Sequence, residues 1–333
     1  APPPAAVAEA PKAAAVATSA ATTNAFPYPL SAYPVQPVPN PPTCTPAQLS
    51  EWALKLRNAM KGLGTNEAVL IEVIGPRTNE ELQLLQKTYT TEIKRDLIKD
   101  IKDETSGHFE NSLVSLITDR YELDAQLVDK AVKGLGTDED LLSEILCTRS
   151  PAELKLISEA YMRLFKKDMA QRVYDDVSGD LKATYRALLT SPREDNKSPS
   201  QLESDVKALF AAGEGKWGTN EKAFINIIAT SSRAYCEQLF YAYAKLYGKS
   251  LDRAITNEMG GDTGRALALL VTPLDMVFAR KFYESMVGMG TKDTMLVRLV
   301  ATQKGRGLRE INNRFLLEHQ KTLAKWVESE TSG

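Results

Sequence analysis

A short glycine-containing motif recurs four times along the chain, and this repetition constrains the fold more than any other feature. The run Lys-Gly-Leu-Gly-Thr at 61–65 reappears at 133–137, as Lys-Trp-Gly-Thr at 216–219 and as Val-Gly-Met-Gly-Thr at 287–291. The glycines before the threonines (Gly64, Gly136, Gly218 and Gly290) lie 72, 82 and 72 residues apart. A fixed period of this length is typical of a repeat architecture, in which each repeat is one supersecondary unit.

Apolar residues between the motifs recur at helical spacing and do not alternate as in a strand. Two such stripes are Phe109, Leu113, Leu116 and Ile117, and Leu141, Leu142, Ile145 and Leu146. Each unit has room for about five short helices, so we predict an all-α fold of four such units arranged as two pairs.

Helix-start signals support this division. Thr45-Pro46 predicts the first helix, and Ser150-Pro151 predicts a helix in the second unit, because proline is favoured just after a capping residue. Thr137 is predicted to cap the helix after the second motif. The predicted segments are a Pro/Ala-rich tail (1–44), unit one (45–118), unit two (119–191), a linker (192–200), unit three (201–272) and unit four (273–333).

The tail differs in composition from the rest, because residues 1–43 hold 11 of the 17 prolines. Such a stretch buries too little apolar surface to offset chain entropy. Two interpretations stay open: a solvated tail, or a partner-binding arm that uses the Tyr-Pro steps at Tyr28 and Tyr33.

Composition excludes several classes of protein. The net charge of −2 gives no field that would attract nucleic acid or an anionic surface unaided. The three scattered cysteines favour a reducing, cytoplasmic compartment, with Cys147 expected as a buried thiol. No apolar run reaches the roughly 20 residues of a membrane-spanning helix. Catalysis is not expected, because only two histidines exist and no phosphate loop, zinc spacing or nucleophile elbow is present.

We call the glycine before the threonine of each motif the marker glycine (Gly64, Gly136, Gly218 and Gly290). An acidic residue stands forty positions after each marker glycine: Glu104, Asp176, Glu258 and Glu330. Calcium prefers six to eight oxygen ligands. A glycine-rich turn can direct several carbonyls to one point, and a carboxylate from a second loop adds two oxygens. About five protein ligands leave positions open for a lipid phosphate or carboxylate, and one charged ligand a site predicts weak binding without lipid. The EF-hand pattern is missing.

With these motifs, residues 45–333 resemble the annexin family. The resemblance also rests on the helix ends at 76–78, 148–150 and 231–233 and on the longer step between units two and three. It implies a slightly curved disc of five-helix repeats whose calcium loops lie on the convex, membrane-facing side.

The resemblance implies four ligand sets, each of loop carbonyls and one acidic side chain. They are Met60, Gly62, Gly64 and Glu104; Val132, Gly134, Gly136 and Asp176; Gly213, Lys216, Gly218 and Glu258; and Met286, Gly288, Gly290 and Glu330. Asp262 competes with Glu258 for the third site. Expected membrane contacts are Leu63, Leu135, Trp217 and Met289 at the loop tips, with Lys61, Lys133 and Lys216 pairing with phosphates. The alternative is that these residues pack against neighbouring loops. A polar centre would comprise Asp124, Glu144, Arg149 and Arg298, which is equally an ion-pair cluster between units, and we favour that structural role.

Unit four departs most from the pattern. It carries Val287 in place of the motif lysine, and Thr302-Gln303-Lys304 where the other units have arginine. Its fifth helix is absent from the sequence given, which places Glu330 near the last residue and makes the fourth site the least secure.

The expected function is reversible, calcium-dependent adsorption to anionic phospholipid, without helix insertion. A helical scaffold whose loops bind no metal is the alternative, and a protein partner for the tail stays open.

Overall fold

The structure is a computed structural model that describes residues 28, 31–34, 41–134, 136–193, 197–214, 218–288 and 290–331. Within these ranges the chain forms nineteen α-helices, one π turn and no strand, which confirms the all-α prediction. No helix in the described ranges is both long enough and apolar enough to cross a membrane.

The helices form four groups, and the helix that starts unit three begins at Pro199, inside the predicted linker (192–200). Unit one contains α1 (Pro46–Ala59), α2 (Glu67–Ile74), α3 (Asn79–Thr88) with a π turn (Tyr89–Ile93), α4 (Leu97–Glu104) and α5 (Gly107–Ile117). Unit two contains α6 (Arg120–Ala131), α7 (Glu139–Thr148), α8 (Pro151–Phe165), α9 (Met169–Asp176) and α10 (Gly179–Thr190). Unit three contains α11 (Pro199–Ala212), α12 (Glu221–Ile228), α13 (Arg233–Tyr247), α14 (Leu251–Glu258) and α15 (Gly261–Val271). Unit four, as far as it is described, contains α16 (Leu274–Met286), α17 (Asp293–Gln303), α18 (Leu308–His319) and α19 (Leu323–Thr331).

The helix starts show how local sequence sets these bounds. Thr45 and Ser150 each close a capping box ahead of a proline at the first helical position, as predicted. The prediction for Thr137 is wrong, because the cap of α7 is Asp138, whose carboxylate accepts from the Leu141 N–H at 2.9 Å. The Thr137 hydroxyl instead donates to the backbone carbonyl of Asp176 in the same unit.

Units that are neighbours in sequence are not always the ones that share a core. One continuous hydrophobic cluster runs through units two and three, where α7 packs on α15, and it includes the buried Cys147. Unit one and unit four each have a separate cluster, and α5 of unit one packs on α17 of unit four. The spatial pairs are therefore two with three and one with four, unlike the pairing that the sequence intervals suggest.

A fully buried ion pair in unit two is extended by a cation from unit four. Arg149 donates to both carboxylate oxygens of Asp124, at 2.7 and 3.0 Å. Burial alone would lower the pKa of Arg149, but the charge of Asp124 overrides it and holds the pKa above its ordinary value. Arg306 lies 3.6 Å from Asp124, so unit four completes the cluster.

A second buried carboxylate links the same two units. Glu144 on α7 accepts from Arg298 on α17 and pairs with Lys281 on α16, both at 3.0 Å. The expected polar centre thus consists of two clusters between units two and four. Lys281 and Arg306 belong to them although neither stands in a repeated motif.

The described part of the tail is docked on units three and four. Tyr33 is buried, stacks on Phe278 with ring centroids 5.9 Å apart and donates to Gln303. The backbone of Tyr28 exchanges hydrogen bonds of 3.1 and 2.8 Å with the side chain of Gln238. For residues 28 and 31–34 the interpretation as a solvated tail is therefore wrong, and Tyr28 and Tyr33 are internal anchors.

Candidate metal sites

Each motif forms the loop between the first and second helices of its unit. Backbone hydrogen bonds close the loops, from Asn66 to Ala59 (2.9 Å), Asp138 to Ala131 (2.8 Å), Asn220 to Ala212 (2.8 Å) and Lys292 to Ser285 (2.7 Å). The third closure spans one residue more than the others. The third loop therefore has one more residue between its closing residues, consistent with its divergent sequence.

Glycine is required in these loops by backbone conformation. Gly62 and Gly64 have φ of 109° and 83°, a region that side-chain-bearing residues rarely adopt. A Cβ added at either position would meet nothing within 4 Å, so space is not the reason for glycine. The corresponding glycines of the other loops share this geometry: Gly134, Gly136, Gly218, Gly288 and Gly290.

The threonine of each motif ties its loop to the acid forty residues after the marker glycine. Its hydroxyl donates to the backbone carbonyl of that acidic residue in every unit. The four bonds are Thr65 to Glu104 (2.9 Å), Thr137 to Asp176 (3.2 Å), Thr219 to Glu258 (3.0 Å) and Thr291 to Glu330 (3.2 Å). The constant spacing thus has a structural cause, and the bond brings the acidic residue of each unit beside its predicted loop.

Most of the predicted carbonyl ligands make no hydrogen bond within the described part of the chain. In the first loop this holds for the carbonyl oxygens of Met60, Gly62 and Gly64. It holds equally for the carbonyls of Gly134, Gly136, Gly213, Gly218, Met286, Gly288 and Gly290. No described residue therefore competes with a cation or with water for these oxygens.

The second loop differs, because an arginine contacts two of its predicted ligands. Nη1 of Arg172 lies 2.6 Å from Oδ1 of Asp176, and Nη2 donates to the carbonyl of Val132. Sequence reasoning missed this residue, although an arginine four positions before an acid on a helix is a recognisable ion-pair signal.

In the third unit the geometry favours Glu258 over Asp262. A Cβ placed on Gly213 would lie 3.2 Å from Cγ of Glu258, so this acid is against the loop. Asp262 lies in the first turn of α15 and pairs with Arg265. Glu214, next to Gly213 in the third loop, is an acidic residue that sequence reasoning did not single out. Its carboxylate accepts a hydrogen bond from the Tyr243 hydroxyl at 3.2 Å.

The described loop tips expose the side chains that were predicted to meet a membrane. Leu63 has a relative exposure of 109%, and Lys61 and Lys133 are also exposed. Moving such an exposed apolar side chain from water into an apolar phase lowers the free energy. The remaining predicted tip and loop residues, Leu135, Lys216, Trp217 and Met289, lie outside the described residues.

Contacts between units place the loops on one face of the molecule. Arg265, at the start of α15, donates to Asp140, at the start of α7, at 2.9 Å. His108, at the start of α5, lies 3.6 Å from Asp293, at the start of α17. Each of these four helices begins directly after a motif loop or directly after the turn that follows the acidic residue of its unit. A depression of about 440 Å³ between units one, two and four adjoins the same helix starts.

The donor set fits a hard cation held largely by backbone oxygens. Within the described ranges no group of three or more His, Cys, Asp or Glu side chains could hold a metal. Each loop instead offers carbonyls together with one carboxylate, which are the oxygen donors that calcium prefers. Neither thiolate nor imidazole, the preferred ligands of zinc, belongs to any of the four sets.

Comparison with known proteins agrees with this arrangement. The annexin family model matches residues 52–116, 123–188, 204–270 and 277–333, one stretch in each unit. Annexin A13 of Homo sapiens is 40% identical over 286 residues, covering 84% of this chain and 90% of that protein.

Two solved structures are similar along nearly the whole chain. The structure of chicken annexin V has a TM-score of 0.81 at 32% identity and covers 90% of this chain and 96% of its own. A structure of calcium-bound annexin (Sm)1 has a TM-score of 0.74 at 28% identity and covers 90% of this chain and 92% of its own.

Proposed function

The chain belongs to the annexin family, and we propose that it adsorbs reversibly to anionic phospholipid surfaces through calcium held between each loop and its acid. Family membership implies calcium-dependent phospholipid binding in general. Annexins are generally membrane-binding proteins rather than enzymes. What is proposed beyond this is the set of residues, the way they hold the ion and the manner of adsorption.

The observation that carries the proposal is the threonine bond between loop and acid. In unit one it holds Glu104 beside a loop whose Met60, Gly62 and Gly64 carbonyls make no hydrogen bond in the described part of the chain. A scaffold needs turns, but it has no need to bond an acidic residue to a glycine loop at the same place in four successive units. The metal-independent scaffold therefore explains less of the geometry.

The ligand count supports a bridging role. Three carbonyls and one bidentate carboxylate give about five of the six to eight oxygens that calcium prefers. The bound ion supplies positive charge and open coordination positions to headgroup oxygens. Binding without lipid is weak, because each set contains one formally charged ligand, and four weak sites on one face gain strength together on a surface.

The loop tips support adsorption without insertion of helices. Exposed Leu63 would enter the interfacial region, while Lys61 and Lys133 would pair with lipid phosphates. The whole chain has a net charge of −2, so the ions supply the attraction that the protein lacks. We propose a cytoplasmic protein that is peripheral on membranes only while calcium is present. A protein partner for the tail would have to replace or extend the docked Tyr33 contact.

Sedimentation with phosphatidylserine-containing vesicles tests this function. The chain is expected to pellet in calcium, to stay in the supernatant with chelator, and to stay there with phosphatidylcholine vesicles at any calcium concentration. Equal pelleting in calcium and in chelator would refute the proposal and favour the scaffold.

A further inference from the structure

The guanidinium of Arg172 lies where the second set of ligands converges. We propose that Arg172 is a built-in cation that competes with calcium for the second site, so that this site needs more calcium than the first. The inference rests on the proposed function, because it presumes that the second loop and Asp176 bind calcium.

The contacts of Arg172 involve both kinds of calcium donor. Nη1 contacts the Asp176 carboxylate at 2.6 Å, and Nη2 donates to the Val132 carbonyl. The Arg172 and Asp176 side chains are 30% and 18% exposed, so water screens their attraction only in part. A calcium ion bound by the same two groups would lie within a few ångström of the guanidinium and would be repelled by it. Calcium therefore binds only after these two contacts break.

The other units provide an internal comparison, because none has a cation at the equivalent position. Four residues before the acid stand Asp100 in unit one, Ala254 in unit three and Trp326 in unit four. Asp100 is buried and accepts from Tyr89 at 2.7 Å and from Arg95, so its contacts do not involve the loop. The first two loops share the sequence Lys-Gly-Leu-Gly-Thr, yet only the second holds a competing charge.

This competition makes two sites of identical loop sequence unequal. The first site fills as calcium rises, and the second fills only when the ion outcompetes Arg172. The chain thus responds to calcium over a wider range than two equal sites would allow. Since the guanidinium is attached by its own helix, the competition does not depend on protein concentration.

Calorimetric titration of the full chain with calcium, without lipid, tests the inference. Arg172→Gln removes the charge and keeps a polar side chain, and it is expected to strengthen calcium binding at one site about tenfold, or about 1.4 kcal/mol. Arg172→Lys, which cannot donate in the same forked geometry, is expected to fall between wild type and Arg172→Gln. Arg163→Gln is the matched control, because Arg163 is 58% exposed, pairs with Glu122 and lies in the same unit. It loses the same charge and is expected to leave calcium binding unchanged.

Two further measurements identify the site. In an Asp176→Ala background, Arg172→Gln is expected to give no gain, because the site it releases no longer exists. In the wild type, the side-chain Nε resonance of Arg172, identified by its absence from Arg172→Lys, is expected to shift as calcium is added. This NMR readout is made on the wild type, so it does not depend on how Arg172→Gln folds.

Equal calcium binding by wild type, Arg172→Gln and Arg163→Gln would overturn the inference, as would an Nε resonance that does not respond to calcium. Both results leave the proposed function intact as long as the wild type binds calcium and pellets with vesicles. Equal pelleting of the wild type with anionic vesicles in calcium and in chelator would instead refute the proposed function.

Discussion

Replacing Thr65 by valine tests whether the hydroxyl bond sets the position of the first acid. Valine keeps the branched shape but cannot donate to the Glu104 carbonyl, now 2.9 Å from Oγ1. A single hydrogen bond contributes about 1 kcal/mol, and the carbonyl left without its partner adds up to about the same cost. We therefore expect Thr65→Val to lower the free energy of unfolding by about 1–2 kcal/mol.

The same change should weaken calcium binding, because the Glu104 carboxylate is no longer held beside its loop. If the whole bond contributes to preorganisation, a loss of about 1 kcal/mol raises the calcium needed for half-maximal vesicle binding about fivefold. The assay is a calcium titration of vesicle sedimentation beside urea unfolding. Thr91→Val is the control, because the Thr91 hydroxyl donates only to carbonyls of its own helical stretch, Lys87 and Thr88. A calcium requirement unchanged in Thr65→Val would refute the idea that this bond sets the register of loop and acid.

Three other substitutions test the fold. Lys166 has a φ of 56°, at the position where unit three has Gly248, so Lys166→Gly should raise the free energy of unfolding in urea by about 0.5–1 kcal/mol. Arg149→Met leaves the buried Asp124 charge with only Arg306 nearby, and urea unfolding should show a loss of about 3 kcal/mol. Burial lowers the pKa of Lys304 from 10.5 to about 8. Between these two pH values Lys304 binds its proton in the unfolded chain but not in the folded one, so its contribution to the free energy of unfolding rises with pH. Lys304→Met should remove this rise in urea unfolding measured from pH 8 to 10.5.

The repeated parts of the molecule were predictable from sequence, because each signal occurs several times at one spacing. The helical class follows from apolar spacing, and the helix starts at Thr45 and Ser150 follow from their prolines. The spacing between loop and acid was visible too, although its cause, the threonine hydroxyl bond, was not. Thr137 was assigned as a cap because threonine suits that role locally, whereas its partner, Asp176, lies thirty-nine residues away.

The features that occur once were not predictable in this way. Arg172 stands at a position where the other units have unrelated residues, so the repeat pattern gave no reason to inspect it. Lys281 reaches Glu144 across a boundary between units, and its partner depends on which units pack together. Docking of Tyr33 depends on the shape and hydrogen-bonding groups of unit four, including Gln303, which composition does not reveal.

The role of the acids in binding is tested most directly by a calcium titration of vesicle binding with the first two acids removed. The variant is Glu104→Ala with Asp176→Ala. The control is Asp103→Ala with Asp175→Ala, which removes the acidic residue immediately before each of these two acids. Asp103 pairs with Lys99, and Asp175 accepts from Gln171, so both controls lie outside the loop contacts. We expect the first pair to raise the calcium needed for half-maximal binding at least tenfold, and the control pair to leave it within about twofold. Equal calcium requirements in the two double variants would contradict the account.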